Sequence, residues 1–447
     1  MAKSAENTAE LKMPLWKANC WFAVLWFMMF FDLVDRYTLA ACLPYIKQAF
    51  KLTDTQSGII ASAFSIAIVA LVIPVSLIAH KWSRRKVLAI MVALWSIATY
   101  ASGLAKGYGS LFAARLGIGA GEAGYLPTAE ALLTAWYPKD KRGLVLGIFN
   151  SAVSAGATLG LMLAGWLAYT YGWRACFGIV AVPGLILAII GWFMPDFKND
   201  VKAKVTEIEQ TNEPSKPASK PALKTGIKDV ALYLIKSPAV LTSVIISGLI
   251  GFAGTIMSIW GVTLFTRTFG MNVKQASTFI GFIGMFAMFI PIIIGLLSDK
   301  LIKDNPKGRL NGTIIGICVF IACIFAFTQN SLNAKNLVIA FITWGLAKGC
   351  INGSQSVVNT VTQDLLPPHY RTFASSLIPV SNQGIGGVLG PIICGVFSDM
   401  YNISTAVVIV ATIGFLAVVI ATLLCKKFYD KDDEKLQKMG TFDLERA

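Results

Sequence analysis

Residues 20–46 read CWFAVLWFMMFFDLVDRYTLAACLPYI. About 20 such residues, coiled as a helix, cross the hydrocarbon core of a bilayer, so this run is long enough to span. It is apolar all round, whereas a helix on the surface of a soluble protein keeps one polar face. Yet it also holds Asp32, Asp35 and Arg36. A charge at that depth is costly unless it is paired or faces water, so such residues mark function by default.

Eleven further runs resemble the first, near 57–80, 87–105, 109–134, 143–170, 174–194, 239–266, 275–298, 308–328, 335–360, 372–398 and 404–426. Composition agrees: 55% of the chain is hydrophobic, 14% is charged, and the mean hydropathy is +0.64. A soluble domain carries about 25% charged residues, so this chain lacks the charge to clothe several water-facing cores. The expected fold class is an all-α polytopic membrane protein with twelve transmembrane helices. No cleavable leader is expected, since residues 1–19 are mixed and charged and the first run shows no small-residue cleavage site.

The connections between spans carry unequal positive charge. Twenty Lys and Arg residues fall on one side, among them Arg84, Arg85, Lys141, Arg142, Arg309, Arg371 and eight lysines between 198 and 236. Seven fall on the other: Lys47, Lys51, Lys106, Arg174, Arg267, Lys274 and Lys335. The positive-inside rule makes the richer side cytoplasmic, with both termini inside, and a bacterial inner (plasma) membrane is the expected location. The net charge of +15 then reflects topology and anionic lipid, with no nucleic-acid partner expected. The eight cysteines are scattered in or beside apolar runs without a CxxC pair, which suits small buried hydrophobes and no metal site. His80 and His369 both fall in connections, and HExxH, GxxxxGK[ST] and GxSxG are all lacking, so neither an enzyme nor a nucleotide-driven pump is expected.

The longest polar stretch includes EPSKPASKPALK and separates spans six and seven. The expected organisation is a six-helix bundle over 1–195, a cytoplasmic linker over 196–238, a second bundle over 239–426 and a tail over 427–447. Ser76-Leu-Ile-Ala-His80-Lys81-Trp-Ser83-Arg84-Arg85-Lys86 follows the second span, and Gly295-Leu-Leu-Ser-Asp299-Lys300 with Lys307-Gly308-Arg309 follows the eighth. The two stretches share a pattern, which is a weak internal repeat of the kind carriers show, with the site near the midplane between halves.

Those two loops resemble the G-x-x-x-D-R-x-G-R-R/K signature of the major facilitator superfamily. More specific likenesses are Asp35-Arg36-Tyr37, Arg115-Leu-Gly-Ile-Gly-Ala-Gly-Glu122-Ala-Gly-Tyr-Leu-Pro127, Trp136-Tyr-Pro138, Gly172-Trp173-Arg174, Leu366-Pro367-Pro368 and Gly390-Pro391. Together they resemble the anion:cation symporter group and the bacterial Spinster-like group, over nearly the whole chain outside the linker and tails. The resemblance implies a monomeric secondary carrier working by alternating access. In the sugar-acid branch an Asp-Arg pair on the first span couples protons and approaches the substrate. The first loop departs from the pattern, with His80 in place of an acid that latches the family's inner face.

The residues themselves suggest where a solute sits. Asp32, Asp35 and Arg36 stand at i, i+3 and i+4, close enough to interact, so Arg36 neutralises one carboxylate and leaves another to titrate. Arg115 and Glu122 lie two turns apart on one face, and Glu122 either merely satisfies Arg115 or titrates. Lys348, Asn352, Gln355 and Asn359 draw one polar stripe down the tenth span, which must face protein or water. Span eleven adds Ser375, Asn382 and Gln383, and Tyr37, Tyr125 and Trp260 are candidate pocket aromatics. Cations from both halves, Arg36 and Lys348, around one chamber suggest a small organic anion, since Arg meets a carboxylate bidentately and Lys supplies a point charge. Proton coupling is assigned to Asp35, Glu122 and Asp32, and gating or structural roles to Arg115, Arg84, Arg85, Asp299 and Arg309. No cofactor is expected beyond a coupling proton or sodium ion. The alternatives are a Spinster-like carrier of lysolipids or amphipaths and a drug/proton antiporter. Against the antiporter, no proline follows Gly156, Gly160 and Gly165 on span five.

Overall fold

The structure, a computed structural model, describes residues 13–138, 140–196, 237–302, 308–366 and 377–444, leaving aside the side chains of residues 73, 76–81, 302 and 435–444. Almost all of the interdomain linker, Ser375, Arg371 and the His80 side chain lie outside that description.

Among the described residues twelve spans follow one another. They are α1 (Leu15–Phe50), α2 (Asp54–Lys81), α3 (Arg84–Gly103), α4 (Tyr108–Glu122 and Tyr125–Trp136), α5 (Arg142–Tyr171) and α6 (Trp173–Trp192). After the linker come α7 (Pro238–Phe269), α8 (Val273–Ala287 and Ile290–Ile302), α9 (Gly308–Gln329), α10 (Leu337–Asp364), α11 (Leu377–Met400) and α12 (Ile403–Leu444). Eleven are individually long and apolar enough to cross a bilayer. The exception is α4, whose segments of 15 and 12 residues are each too short, whereas α8 runs on through its break as a stretch of 29 residues.

Prolines account for the interrupted helices. Pro127 in α4 and Pro291 in α8 each lack the N–H that the carbonyl four residues back requires, and each helix breaks just before its proline. Pro391 does the same to Gly387, and upstream of it α11 widens into a π-helix over Asn382–Leu389. Lipid does not tolerate such unpaired backbone, so these irregular stretches belong beside protein or water.

Within the first half α1 packs on α5 and α6, and α3 on α4 and α6. In the second half α7 packs on α12, α11 and α10, and α9 on α10. The halves meet along two seams, α2 on α11 and α5 on α8, with α1 against α7 between them. Replacing each helix of the first seam by its counterpart six places away in the other half, α2 by α8 and α11 by α5, gives the second, so the weak sequence repeat appears in space as a two-fold relation. At the α2–α11 seam a Cβ on Gly58 would lie 2.2 Å from the Pro391 carbonyl oxygen, and one on Gly395 2.5 Å from that of Asp54. Only glycine lets these backbones touch. Large apolar side chains such as Ile97, Ile189 and Leu296 are exposed on the outer faces, as a lipid-facing surface requires.

One boundary differs from expectation. The segment read as a tail from 427 begins as a continuation of α12, and it docks on the second half. Tyr429 and Asp432 are buried, and the Asp432 carboxylate accepts the Ala239 N–H at the start of α7 at 2.7 Å. That contact satisfies a donor every helix start leaves open. It is invisible in the local polarity of the tail.

Candidate functional site

A cavity of about 560 Å³ lies between the halves, walled by α1, α2, α4 and α5 on one side and α7, α8, α10 and α11 on the other. It is deep. Lys348 sits eleven residues into α10 and Arg36 fourteen residues before the end of α1, about 16 and 21 Å from the same membrane face. Down α10 the wall continues through Asn352 and Gln355 to Asn359, near the opposite face where the chain termini lie.

Both cations expected at a common chamber line it, as do Tyr37, Asn352, Gln355, Asn382 and Gln383. Their electrostatic situations differ. Arg36 is already engaged: its Nη2 is 2.6 Å from Glu122 Oε2 and 3.6 Å from Asp32 Oδ2, and its guanidinium lies 4.6 Å from the centre of the Phe64 ring. Lys348 has no carboxylate within ion-pair distance among the described residues. Among the described residues that line the cavity, Lys348 of the second half and Arg115 of the first are the cations outside any ion pair, and Lys348 is the less buried of the two.

The acids form a buried layer behind Arg36. Asp32, Asp35 and Glu122 are all buried. Asp35 does not pair with its neighbour Arg36, as adjacency in sequence suggested, but accepts from Thr99 Oγ1 at 3.1 Å. Consecutive residues point about 100° apart around a helix, which turns Asp35 toward α3 and Arg36 toward the cavity. Likewise Glu122 satisfies Arg36 across the bundle instead of Arg115 along its own helix. Arg115, 2% exposed, reaches the cavity wall near Phe64, and its Nε and Nη1 have no hydrogen-bond partner. One oxygen on each of the three carboxylates also lacks a partner. Buried polar atoms left open in this way are costly, and their concentration here makes this layer a candidate site.

The amides of the other wall are tied together. Gln355 donates to Ser247 at 2.6 Å and to Asn359 at 2.8 Å, Asn382 donates to Gln355 at 3.3 Å, and Ser65 of α2 donates across the seam to Gln383 at 2.9 Å. The π-helical turn and Gly251 make room: a Cβ there would lie 1.8 Å from the Asn382 side chain.

Several expected positions lie elsewhere. Tyr125 is buried away from the cavity, donating to the Leu25 carbonyl at 3.0 Å with its ring edge-on to Trp95. Trp260 is also buried, its indole N–H directed at the Pro391 carbonyl at 3.3 Å. Both serve packing, because each has a backbone acceptor within reach and no opening beside it. At the face bearing the termini, Arg85 donates to the Met194 carbonyl at 2.9 Å, while Arg309 pairs with Asp299 at 3.4 Å and with Asp364. Each of these bonds stays within one half, and Arg84 is likewise engaged. Thr99, Ser65 and Ser247 went unnoticed in the sequence. A hydroxyl in an apolar run ordinarily bonds its own helix, so nothing local distinguishes them.

The family model described as Major Facilitator Superfamily matches residues 25–385. An MFS-type efflux pump of Mycolicibacterium smegmatis is 25% identical, with 82% of this chain and 81% of that protein covered. A hexuronate transporter of Bacillus subtilis is also 25% identical, over 66% of this chain and 67% of its own length. Among solved structures, a bacterial homolog of the human lysosomal transporter Spinster, inward-facing and unoccupied, superposes with a TM-score of 0.76 at 20% identity. It covers 94% of this chain and 98% of that one, a likeness of fold.

Proposed function

The chain belongs to the Major Facilitator Superfamily and is a multi-pass membrane transporter, and from that premise we propose that its cargo is a small organic anion cotransported with protons. A sugar acid or another carboxylate fits best. The observation that carries the reading is Lys348, a mid-depth cation with no ion-pair partner among the described residues, in a cavity also lined by the amides of Asn352, Gln355 and Asn382. Leaving such a charge without a counter-ion is expensive, and a visiting carboxylate supplies one. Amides read hydroxyl groups as donors and acceptors alike, so a polyhydroxy acid suits the same wall. The hexuronate carrier among the relatives is consistent with that chemistry.

Proton coupling rests on charge balance. Behind the cavity three acids, Asp32, Asp35 and Glu122, face two guanidiniums, Arg36 and Arg115, leaving one carboxyl in excess. That excess is where the coupling proton travels. Protonating Glu122 releases Arg36 to the solute's carboxylate, and solute departure returns the pair. The N-terminal face, rich in Lys and Arg, is then cytoplasmic by the positive-inside rule, in a bacterial inner membrane, and the cavity is the inward-facing one. Rocking of the halves about the α1–α7 contact supplies alternating access.

The test is thermal stabilisation of the purified carrier by D-glucuronate, L-galactonate, galactarate and sulfoacetate, with glucose and a lysophosphatidylcholine as contrasts. Stabilisation by one or more of the anions and not by glucose supports the reading. Stabilisation by the lysolipid alone refutes it in favour of an amphipath carrier.

A further inference from the structure

We propose that Asp54 is the keystone of an ionic lock that holds the two halves together at the face opposite the chain termini and sets the balance between the two access states. Asp54 opens α2, just after α1 turns at Lys51, whose φ of 52° places it in the left-handed region. The carboxylate is 3% exposed and takes four bonds. Lys47 of α1 is 2.5 Å away, Arg267 near the end of α7 binds both oxygens at 2.8 Å, and Ser398 near the end of α11 donates at 2.7 Å.

A second carboxylate closes the arrangement from the other direction. Asp399 of α11 accepts the backbone N–H groups of Asp54 and Thr55, each at 2.8 Å, and the Thr55 hydroxyl at 2.6 Å. Those N–H groups are the open donors at the start of α2, where a carboxylate is favoured by the helix dipole as well. Every one of these bonds except Lys47–Asp54 joins the first half to the second. Gly58 and Gly395 let the backbones beneath them come into contact, so the polar lid sits directly on a tight seam.

The geometry suits a switch better than a permanent strut. A bidentate guanidinium–carboxylate pair is strongly directional, so a small rotation of one half breaks both bonds at once. When it does, Lys47 stays beside Asp54 on the first half, and Arg267, about a third exposed, is left open to water. Neither charge is stranded in lipid. At the opposite face the described bonds of Arg85 and Arg309 stay within their own halves.

Pulsed electron–electron resonance on purified protein without substrate tests this. In a background lacking native cysteines, labels are attached at the exposed positions Lys51, in the first half, and Tyr401, in the second. Asp54→Asn and Arg267→Gln are each expected to raise the population of long label–label distances at least about tenfold, the shift expected when a buried bidentate pair loses one member. The double variant is expected to do no more than the larger single, because both remove one interaction. Asp399→Asn, which leaves the Arg267 pair intact, gives a smaller shift in the same direction and serves where Asp54→Asn fails to fold. Unchanged distances in folded Asp54→Asn or Asp399→Asn, or additive single effects, overturn the lock. Since no solute is present, that result is independent of the anion reading, whose failure would in turn leave the lock standing.

Discussion

Replacing Lys348 by glutamine separates recognition from scaffolding, and the structure fixes the size of both effects. Truncating one member of a hydrogen-bonded charge pair across an interface costs 2–5 kcal/mol, much of it from stranding the partner. Lys348 is only half-buried and lines a cavity large enough to admit water, which would re-solvate the solute's carboxylate, so the lower end applies. About 2 kcal/mol corresponds to a roughly 30-fold weaker Kd. Stability should move little, within about 0.5 kcal/mol, because no described acid is paired with Lys348 and none is orphaned. Arg36→Gln provides the contrast. It strands Glu122 and Asp32, and although Arg36 is 32% open to the cavity the loss should still reach about 2 kcal/mol. The assay is titration calorimetry with the anion that stabilises best, alongside thermal unfolding of both variants. A folded Lys348→Gln protein binding within twofold of the unaltered chain would refute the argument. So would destabilisation equal to that of Arg36→Gln.

Two further outcomes follow from the geometry of the first half. Glu122→Gln should keep solute counterflow yet lose accumulation driven by an inward proton gradient, measured in proteoliposomes, since it removes the Arg36 partner that carries the charge change. Accumulation at the unaltered level would contradict the coupling role. Tyr125→Phe should leave Kd unchanged while lowering stability by about 1 kcal/mol, because the Leu25 carbonyl loses its hydroxyl donor far from the cavity. A change in affinity without a change in unfolding temperature would return Tyr125 to the site.

Periodic and compositional features were legible in the sequence because they are local. Runs of about 20 apolar residues announce spans whatever surrounds them. The breaks before Pro127 and Pro291, in contrast, were not read from the sequence, and Pro44 and Pro183 lie inside continuous helices. The stripe from Lys348 to Asn359 was equally plain, since residues spaced by four, seven and eleven share a helix face before any partner is known. Arg36 and Lys348 line one cavity in the structure, and ionised groups at lipid depth have few other places to go.

Pairing was the part that required tertiary structure. Sequence adjacency suggested Asp35 with Arg36 and helical spacing suggested Arg115 with Glu122, yet Arg36 bonds Glu122 across the bundle and Asp35 bonds Thr99. The lock shows the same limit more strongly. Asp54 looks like an ordinary helix-opening acid, and its guanidinium partner is 213 residues away. What a chain alone determines is how each segment partitions between water and lipid, because hydration acts residue by residue. Which charge meets which depends on how helices rotate and cross, and that is decided only when the two bundles close on each other.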